Sequence, residues 1–321
     1  MAEYLPSKQM TRVRIPIGAF IQMKKENFKK KFIELHDKNY KKLLLIPLIL
    51  ILFSFFYLIS FYQNNDGNLF YKDISLTGGT SITLEEKIDA STLKNFLSGK
   101  LEDVNVREIS DLITKEQKAI IIETKTNKEE SKKVLEEYLG YDLIDGENVS
   151  FEFTGSTLSE NFYQQLLIAL LIAFFLMAIV VFFQFRVFVP SLAVIFSAFA
   201  DSLMTLVTIN LLGVKLSSAG IVALIMLIGY SVDTDILLSN KVLKRSGSSL
   251  NKCLFDSFKT GATMTITSLV AVIIAYLIIG QFSSVLHQIF LIMAIGLSFD
   301  LLNTWITNVS IIKWYALEKR K

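Results

Sequence analysis

Residues 166–185 read LLIALLIAFFLMAIVVFFQF and contain no charged side chain. At a helical rise of about 1.5 Å per residue, such a run matches the roughly 30 Å hydrocarbon core of a bilayer. The stretch therefore predicts a helix that crosses a membrane. Four further apolar runs of at least this length lie at 43–62, 188–209, 216–238 and 263–312. The last is long enough for two helices with a break near residue 280, so we expect an α-helical membrane protein with six spans.

The composition of the whole 321-residue chain supports this assignment. Hydrophobic residues make up 52% of the chain, charged residues make up 20%, and the mean hydropathy is +0.46. Average soluble domains are about 25% charged, and disordered chains are more polar still. An ordinary soluble domain and a disordered tail are therefore both excluded. The single Cys253 also excludes an internal disulfide framework.

Basic residues are concentrated before the first span, where residues 1–42 carry eleven Lys or Arg against four Asp or Glu. The positive-inside rule places this arm in the cytoplasm and, after six crossings, the tail at 313–321 as well. Phe28, Phe32 and Leu35 share one helical face, which predicts an amphipathic helix lying on membrane lipid. A basic arm beside a first span more often contacts anionic lipid than nucleic acid, so we expect no nucleic-acid partner.

The segment 63–165, between the first two spans, has 20 acidic and 11 basic residues and is large enough for a domain. Asp89 or Ser91 can cap a first helix, and Gly140 can end a second one. The local patterns predict strands at 81–84, 104–110, 119–124 and 149–154 and helices at 91–101 and 128–139. This βαββαβ order is that of a ferredoxin-like domain, which the topology places outside the cytoplasm, before spans two to six at 166–312.

Four aspartates lie within or at the edge of the predicted spans, and each is a candidate functional residue because a carboxylate disfavours insertion into lipid. Asp201 lies 13 residues after Phe188 and Asp300 lies 13 residues before Lys313, about 20 Å of helix in each case, which places both near mid-membrane. Asp233 lies about 12 Å inside, eight residues before Lys241. Asp235 is two residues closer to that end. For Asp235, a position at the membrane–water interface is the favoured interpretation.

The polar residues of two spans recur at helical spacing. Such faces must meet one another or water, because lipid cannot satisfy them. A buried interface between helices and a wet pathway explain them equally well. The face of the sixth span contains Asp300, Asn303, Thr304, Thr307 and Asn308, and that of the third contains Ser197, Asp201, Thr205 and Thr208.

Motifs for enzymatic chemistry are missing from the sequence. It has no phosphate-binding loop of the Gly-x-x-x-x-Gly-Lys-Ser/Thr kind and no Gly-x-Gly-Asp element of an intramembrane aspartyl protease. His36 and His287 are the only histidines and cannot form a cluster for a metal or a triad. We therefore expect a protein that is not an enzyme and has no cofactor or metal.

Three stretches carry a resemblance to a known family: LTGGT at 76–80, GYSVDTDILLSNKVLKR at 229–245 and DLLNTWITN at 300–308. They are similar to the SecD/SecF family of protein-export membrane proteins in the RND superfamily, above all to the archaeal branch of SecF. The resemblance implies half of an RND-type transporter in the cytoplasmic membrane. It also implies pairing with SecD beside the SecY translocon, and contact with translocating preprotein.

Within that resemblance, Asp201 matches an aspartate of the family's third span, and Asp233 matches a polar or acidic position of the fourth. The implied mechanism is proton passage past Asp201, Asp233, Asp300 or Asp235, coupled to movement of the outer domain on Gly78 and Gly79. Two alternatives stay open: a structural accessory of the translocon without proton flow, and a half-size RND exporter of lipids or small molecules.

Overall fold

The computed structural model describes residue 34 and residues 42–318, except for 66, 111–113, 115, 245–248 and 280–282. Apart from residues 34 and 42, the predicted basic arm therefore lies outside the described residues, and so do Phe28, Phe32 and Leu35 of the predicted amphipathic helix. The helices are α1 Leu45–Asn64, α2 Ile74–Thr77, α3 Ala90–Ser98, α4 Lys128–Leu139, α5 Ser156–Phe185, α6 Phe188–Leu211, α7 Ser218–Leu243, α8 Leu250–Ile279, α9 Ser284–Leu302 and α10 Val309–Glu318. The strands are β1 Gly79–Leu84, β2 Asn105–Ser110, β3 Gln117–Thr124 and β4 Val149–Thr154.

Among the described residues, six helices are long and apolar enough to cross a membrane. They are α1, α5, α6, α7, α8 and the continuous helix formed by α9, a π-helix at Asn303–Asn308, and α10. This confirms the prediction of a multi-pass α-helical membrane protein.

Several helices extend beyond the apolar runs that predicted them. α5 begins at Ser156 and α8 at Leu250, so the predicted boundary at residue 165 falls inside α5. The boundary at residue 312 likewise falls inside α10. Hydropathy detects only the part of a helix that needs lipid, whereas helical hydrogen bonding continues through adjoining polar residues such as Glu160 and Gln165.

α6 and α7 form the centre of the helix bundle. Most of the spanning part of each is buried by other helices, whereas α5 and α8 are largely exposed. The exposed residues of those outer helices are apolar, for example Leu171, Phe183 and Leu277. An apolar outer surface around a partly polar interior suits a protein surrounded by lipid.

The segment between α1 and α5 forms a four-stranded antiparallel sheet with the strand order β2-β3-β1-β4. Its two long helices cover one face, where Leu93 and Leu135 pack on Ile82 and Ile120. Asp89 caps α3 by accepting from the Thr92 amide. Gly140, in the left-handed conformation, ends α4. The elements follow one another in βαββαβ order, and we call this unit the sheet domain.

The sheet domain rests on one end of the bundle. Leu216, in the loop between α6 and α7, donates its backbone N–H to Tyr71 O at 2.6 Å. Lys215 of the same loop forms an ion pair with Asp103 of the sheet domain. The open face of the sheet and the helix ends enclose a cleft of about 880 Å³, lined by Arg107 and His287 among other residues.

Candidate functional site

Asp201 is fully buried at the centre of α6, and donors from two other helices hold its carboxylate. Ser231 of α7 donates its hydroxyl to Oδ2 at 2.6 Å. The amide of Asn303 donates to Oδ1, also at 2.6 Å. Both oxygens of Asp201 thus accept a hydrogen bond, an arrangement that suits a charged carboxylate.

Asp235 and Asp300 lie next to each other around a single hydroxyl. The Thr304 oxygen is 2.8 Å from Oδ1 of Asp235 and 3.2 Å from Oδ1 of Asp300. Asn308 also donates to Oδ1 of Asp235, at 2.6 Å. Thr265 of α8 completes the group from a fourth helix, at 3.4 Å from Oδ2 of Asp300. We call Asp201, Asp235 and Asp300 the carboxylate cluster.

The Thr304 hydroxyl limits how this cluster can be charged. A hydroxyl carries one hydrogen and can donate it to only one of the two carboxyl groups. For the second contact to be a hydrogen bond, the other carboxyl group must carry a proton and donate it to the Thr304 oxygen. The geometry around Thr304 therefore fits one proton held between Asp235 and Asp300.

The π-helix at Asn303–Asn308 supplies most of these partners. Each of its turns holds an extra residue compared with an α-helix, so side chains spaced by one or by four can point into the same interior. Asn303, Thr304, Thr307 and Asn308 are all buried there. Such π segments inside longer helices occur frequently at functional sites.

The cluster has no cationic partner among the described ion pairs. Those pairs lie in the sheet domain and at its contact with Lys215, and none includes Asp201, Asp235 or Asp300. Burying a carboxylate without a counter-charge is strongly unfavourable, whereas a protonated carboxyl group is tolerated. The site therefore favours partial protonation, and it can take up and release protons if water reaches it.

The structure corrects the relative placement of Asp233 and Asp235. Asp235 is fully buried in the cluster, whereas Asp233 is exposed on the outer surface of α7. Two residues along a helix correspond to a rotation of about 200°, so the two side chains point in nearly opposite directions. The position at the membrane–water interface that was favoured for Asp235 is therefore wrong. Asp233 does not join the cluster.

Two other predicted residues, Thr205 and Thr307, lie near the cluster in supporting positions. Thr205 is buried but donates to the Asp201 backbone oxygen, at 2.6 Å. Thr307 donates to Oδ1 of Asn303 at 3.2 Å and so helps to hold that amide. Gly78 and Gly79 are remote, where the chain enters the sheet domain.

Ser231 and Thr265 contact the carboxylate cluster, but neither was predicted from the sequence. Ser231, Asp235 and Ser239 recur every four residues on α7, and all three are buried. This spacing was a detectable signal for an inward polar face on the fourth span. Thr265 has no comparable signal. Threonines also stand at 263 and 267 on α8, and these two donate to backbone oxygens of their own helix, so threonine in this stretch does not by itself mark the cluster.

Comparisons with known proteins agree with this architecture. The family model described as "Protein export membrane protein SecD/SecF, C-terminal" matches residues 134–318. The protein-export membrane protein SecF of Methanocaldococcus jannaschii is 38% identical over 289 residues, which cover 88% of this chain and 98% of the relative. The SecF of Haloquadratum walsbyi is 34% identical over 287 residues, covering 87% of this chain and 94% of the relative.

A solved structure shares the fold. The crystal structure of SecDF from Thermus thermophilus, described as a translocon-associated membrane protein, matches with a TM-score of 0.65 at 18% sequence identity. The match covers 86% of this chain but 38% of the solved chain. This chain therefore spans less than half of the SecDF polypeptide that it resembles.

Proposed function

The chain belongs to the SecD/SecF family of protein-export membrane proteins, and we propose that it is the SecF subunit that promotes preprotein translocation together with SecD. Relatives named SecF match it over nearly their whole length. The SecDF chain with the same fold is much longer, and this chain covers 38% of it. A separate SecD chain would supply the remainder, and the assembly would act beside the SecY translocon.

We propose that the sheet domain is a ferredoxin-like domain outside the cytoplasm and that both termini are cytoplasmic. Four lysines lie in or beside the loop between α7 and α8, at the end of the bundle opposite the sheet domain: Lys241, Lys244, Lys252 and Lys259. Cytoplasmic loops carry such an excess of Lys and Arg. The basic arm at 1–42 would lie on the same side, against anionic lipid.

We further propose that protons moving through the carboxylate cluster drive export. The observation that carries this step is the Thr304 hydroxyl between Asp235 and Asp300, because both of its contacts can be hydrogen bonds only when one carboxyl group carries a proton. The loss or gain of that proton changes the charge that Asp235 and Asp300 share. Ionisable groups inside a membrane bundle commonly serve as proton relays.

The route from the cluster to the sheet domain runs through rigid contacts. α6 carries Asp201, and the loop that follows α6 carries Lys215, which binds Asp103 of the sheet domain. α9, which carries Asp300, also carries Gln288, which accepts from the Ser217 backbone N–H at 3.0 Å. A shift of α6 against α9 on protonation would therefore be transmitted to the loop on which the sheet domain rests. Movement of this domain would hinder backsliding of preprotein.

The assignment is tested by mild-detergent purification of the tagged chain from its native membrane, with mass spectrometry of the co-purifying proteins. We expect a SecD-like chain in stoichiometric amount, with SecY in part of the material. A tagged unrelated six-span protein from the same membrane serves as the control. Recovery of this chain alone as a symmetric oligomer would favour a half-size exporter and overturn the assignment.

A further inference from the structure

The cleft between the sheet domain and the bundle contains polar atoms that have no protein partner. Nε of Arg107, on the sheet, and Nδ1 of His287, on α9, are both buried, and neither forms a hydrogen bond with a described residue. The same guanidinium binds Glu123 through another nitrogen. Buried polar atoms are usually paired with protein, water or a ligand. Two opposite walls of the cleft therefore have hydrogen-bonding capacity left for a bound molecule.

An acidic group lies beside Arg107. Asp73, in the segment that enters the sheet domain, is close to the charges of Arg107, Glu123 and Lys215. None of the described ion pairs includes Asp73, whereas Lys215 is paired with Asp103. The cleft therefore offers an anion-binding group and a cation-binding group next to each other, which suits a ligand that carries both charges.

The floor of the cleft lies at the depth of lipid headgroups. His287 is thirteen residues before Asp300 on the same helix, about 20 Å from it along the axis. Tyr276 is eleven residues after Thr265, which contacts Asp300 from α8, and so lies about 16 Å from the same level. The hydrocarbon core ends about 15 Å from its centre, and the headgroup layer continues for about 5–7 Å more. With Asp300 near mid-membrane, both rings reach the headgroup layer on the side of the sheet domain.

The wall that α8 and α9 contribute to the cleft continues into the apolar outer surface. The ring of Tyr276 stacks on that of His287, with 4.2 Å between the ring centroids, and both residues line the cleft. Val285 also lines it and is half exposed. Ile273 and Leu277, within one turn of Tyr276 on α8, are exposed apolar residues. A lipid in this leaflet can therefore extend its headgroup into the cleft while its chains stay on α8.

The size and position of the cleft favour a lipid as its ligand. Its volume of about 880 Å³ lies within the range of about 300–1,000 Å³ that is typical of sites for small organic molecules. A polypeptide arriving from the aqueous side needs no apolar rim open toward lipid chains. Arginine is well suited to bind phosphate, and basic pockets between membrane helices bind lipid headgroups.

We propose that the cleft binds the headgroup of a zwitterionic phospholipid from the leaflet on the side of the sheet domain. Arg107 and His287 donate to the phosphate, Asp73 binds the ammonium group, and the lipid chains lie against Val285 and α8. A lipid held in this way links the sheet domain to the bilayer surface as well as to the bundle. The proposal concerns binding and does not rest on the role in export.

The test places photoreactive benzoylphenylalanine at Ile121, which lines the cleft and lies opposite Arg107 in the strand pairing. The control carries the same photoreactive group at Tyr141, an exposed aromatic position after α4 that is not among the residues lining the cleft. Each protein is purified with its co-expressed native partners and placed in vesicles of equal parts phosphatidylethanolamine and phosphatidylglycerol. After irradiation, mass spectrometry identifies the molecule attached at each position.

We expect a phosphatidylethanolamine adduct at Ile121 and no lipid adduct at Tyr141. Thr83, the neighbour of Ile121 on β1, provides a second position in the cleft in case the first variant does not assemble. A polypeptide adduct would reassign the cleft to a protein ligand, and equal yields with the two lipids would remove the selectivity for a zwitterion. Either result overturns the proposal, as does the absence of any adduct at both cleft positions.

His287→Phe separates the phosphate contact from the packing of α8 on α9, because phenylalanine keeps a ring against Tyr276 but has no nitrogen. When phosphatidylethanolamine is the minor lipid, we expect the variant to lower the yield of its adduct roughly tenfold, as for the loss of one hydrogen bond to a charged group. An unchanged yield would overturn the phosphate contact. If the lipid adduct is absent while a SecD-like chain still co-purifies, the lipid site fails and the export assignment stands.

Discussion

Asn303 and Asp201 lie 102 residues apart in the chain, and the amide of Asn303 donates to Oδ1 of Asp201 at 2.6 Å. This bond joins the π-helix of the last span to the centre of α6. With Ser231 on its other oxygen, Asp201 has both carboxylate oxygens satisfied. Oδ2 of Asp235 has no hydrogen bond of comparable geometry, although the Ser197 hydroxyl lies close to the carboxyl group. We infer that Asp201 anchors the cluster, whereas Asp235 and Asp300 exchange the proton.

The Thr304 hydroxyl is the contact that Asp235 and Asp300 share. Replacing it in Thr304→Val keeps the shape but leaves Asp235 and Asp300 without their common partner. We expect a loss of stability of about 1–3 kcal/mol, which is the cost of a buried polar group left unsatisfied. Proton-gradient-dependent export should fall strongly as well. Thr304→Ser, which retains the hydroxyl, should restore both the thermal stability in detergent and the export rate.

Gly78 is required because two connections between the sheet domain and the bundle touch there. A Cβ on Gly78 would lie 2.6 Å from Cα of Ser156, and the backbone has φ +83°. Gly146 has almost the same φ, +84°, but nothing within 4 Å. Gly146→Ala should therefore show only the backbone strain, about 1–3 kcal/mol. Gly78→Ala should cost clearly more, measured as a lower melting temperature of the purified protein.

Equal effects of the two alanine substitutions would contradict this assignment of Gly78 to a close contact. The contact also revises the expectation that Gly78 and Gly79 form a flexible hinge. Gly79 is equally confined, because its Cβ would lie 2.3 Å from the backbone oxygen of Thr124. The glycines allow the entering and leaving segments to pass each other closely, so any movement of the sheet domain would pivot at a packed crossing.

The ion pair between Asp103 and Lys215 links the sheet domain to the bundle. Burial raises the pKa of Asp103, but the hydrogen bonds and charges of Lys215 and Lys125 outweigh it and leave the pKa below its ordinary value. A carboxyl group of this kind stabilises the folded state at neutral pH, and the effect is lost as the pH falls through the lowered pKa. We expect Lys215→Gln to increase proteolysis of the connection near Gly155.

A double-mutant cycle with Asp103→Asn should give a coupling of about 0.2–1 kcal/mol, as found for partly exposed pairs. The matched control is Lys87→Gln, which removes an ion pair with Glu116 that lies wholly within the sheet domain. Its protease sensitivity near Gly155 should stay unchanged. Equal sensitivity of the two lysine variants would show that Lys215 does not hold the domain in place.

Asp73 should have the opposite pH dependence, since its pKa is raised by burial and then by the nearby charge of Glu123. The folded state therefore favours the protonated acid, and stability is lost as the pH rises through the raised pKa. Asp73→Asn should increase the melting temperature at pH 7 and change it little at pH 4. Asp145→Asn is the control, because the hydrogen bond from Lys128 lowers the pKa of Asp145. That substitution should lower the melting temperature at pH 7.

Much of the fold could be predicted because its signals are local. Helix α4 and strand β4 have the bounds that the sequence pattern indicates, since Gly140 and the alternating strand residues mark them directly. The start of α5 at Ser156 could not be predicted from hydropathy, because its first turns are polar. The β-strand order depends on long-range pairing, which a linear pattern does not contain.

Part of the candidate site could also be predicted from local signals in the sequence. Periodicity indicated the polar faces that contain Asp201 and Asp300, and the structure brings both into the cluster. The distance of Asp233 and Asp235 from the helix end indicates their depth in the membrane, and depth does not report which face of a helix is buried. The π-helix at Asn303–Asn308 has no simple sequence signal, so the contacts that it makes with Asp201 and Asp235 could not be foreseen.

We propose that protons passing through the carboxylate cluster drive export. The most direct test of this proposal is preprotein translocation into vesicles that contain this chain with its SecD and SecY partners, measured with and without a proton gradient. We expect Asp235→Asn to abolish the stimulation by the gradient while the complex still assembles. Asp233→Asn, two residues away on the exposed face of α7, should keep the stimulation. Full stimulation in the Asp235→Asn complex would contradict the account.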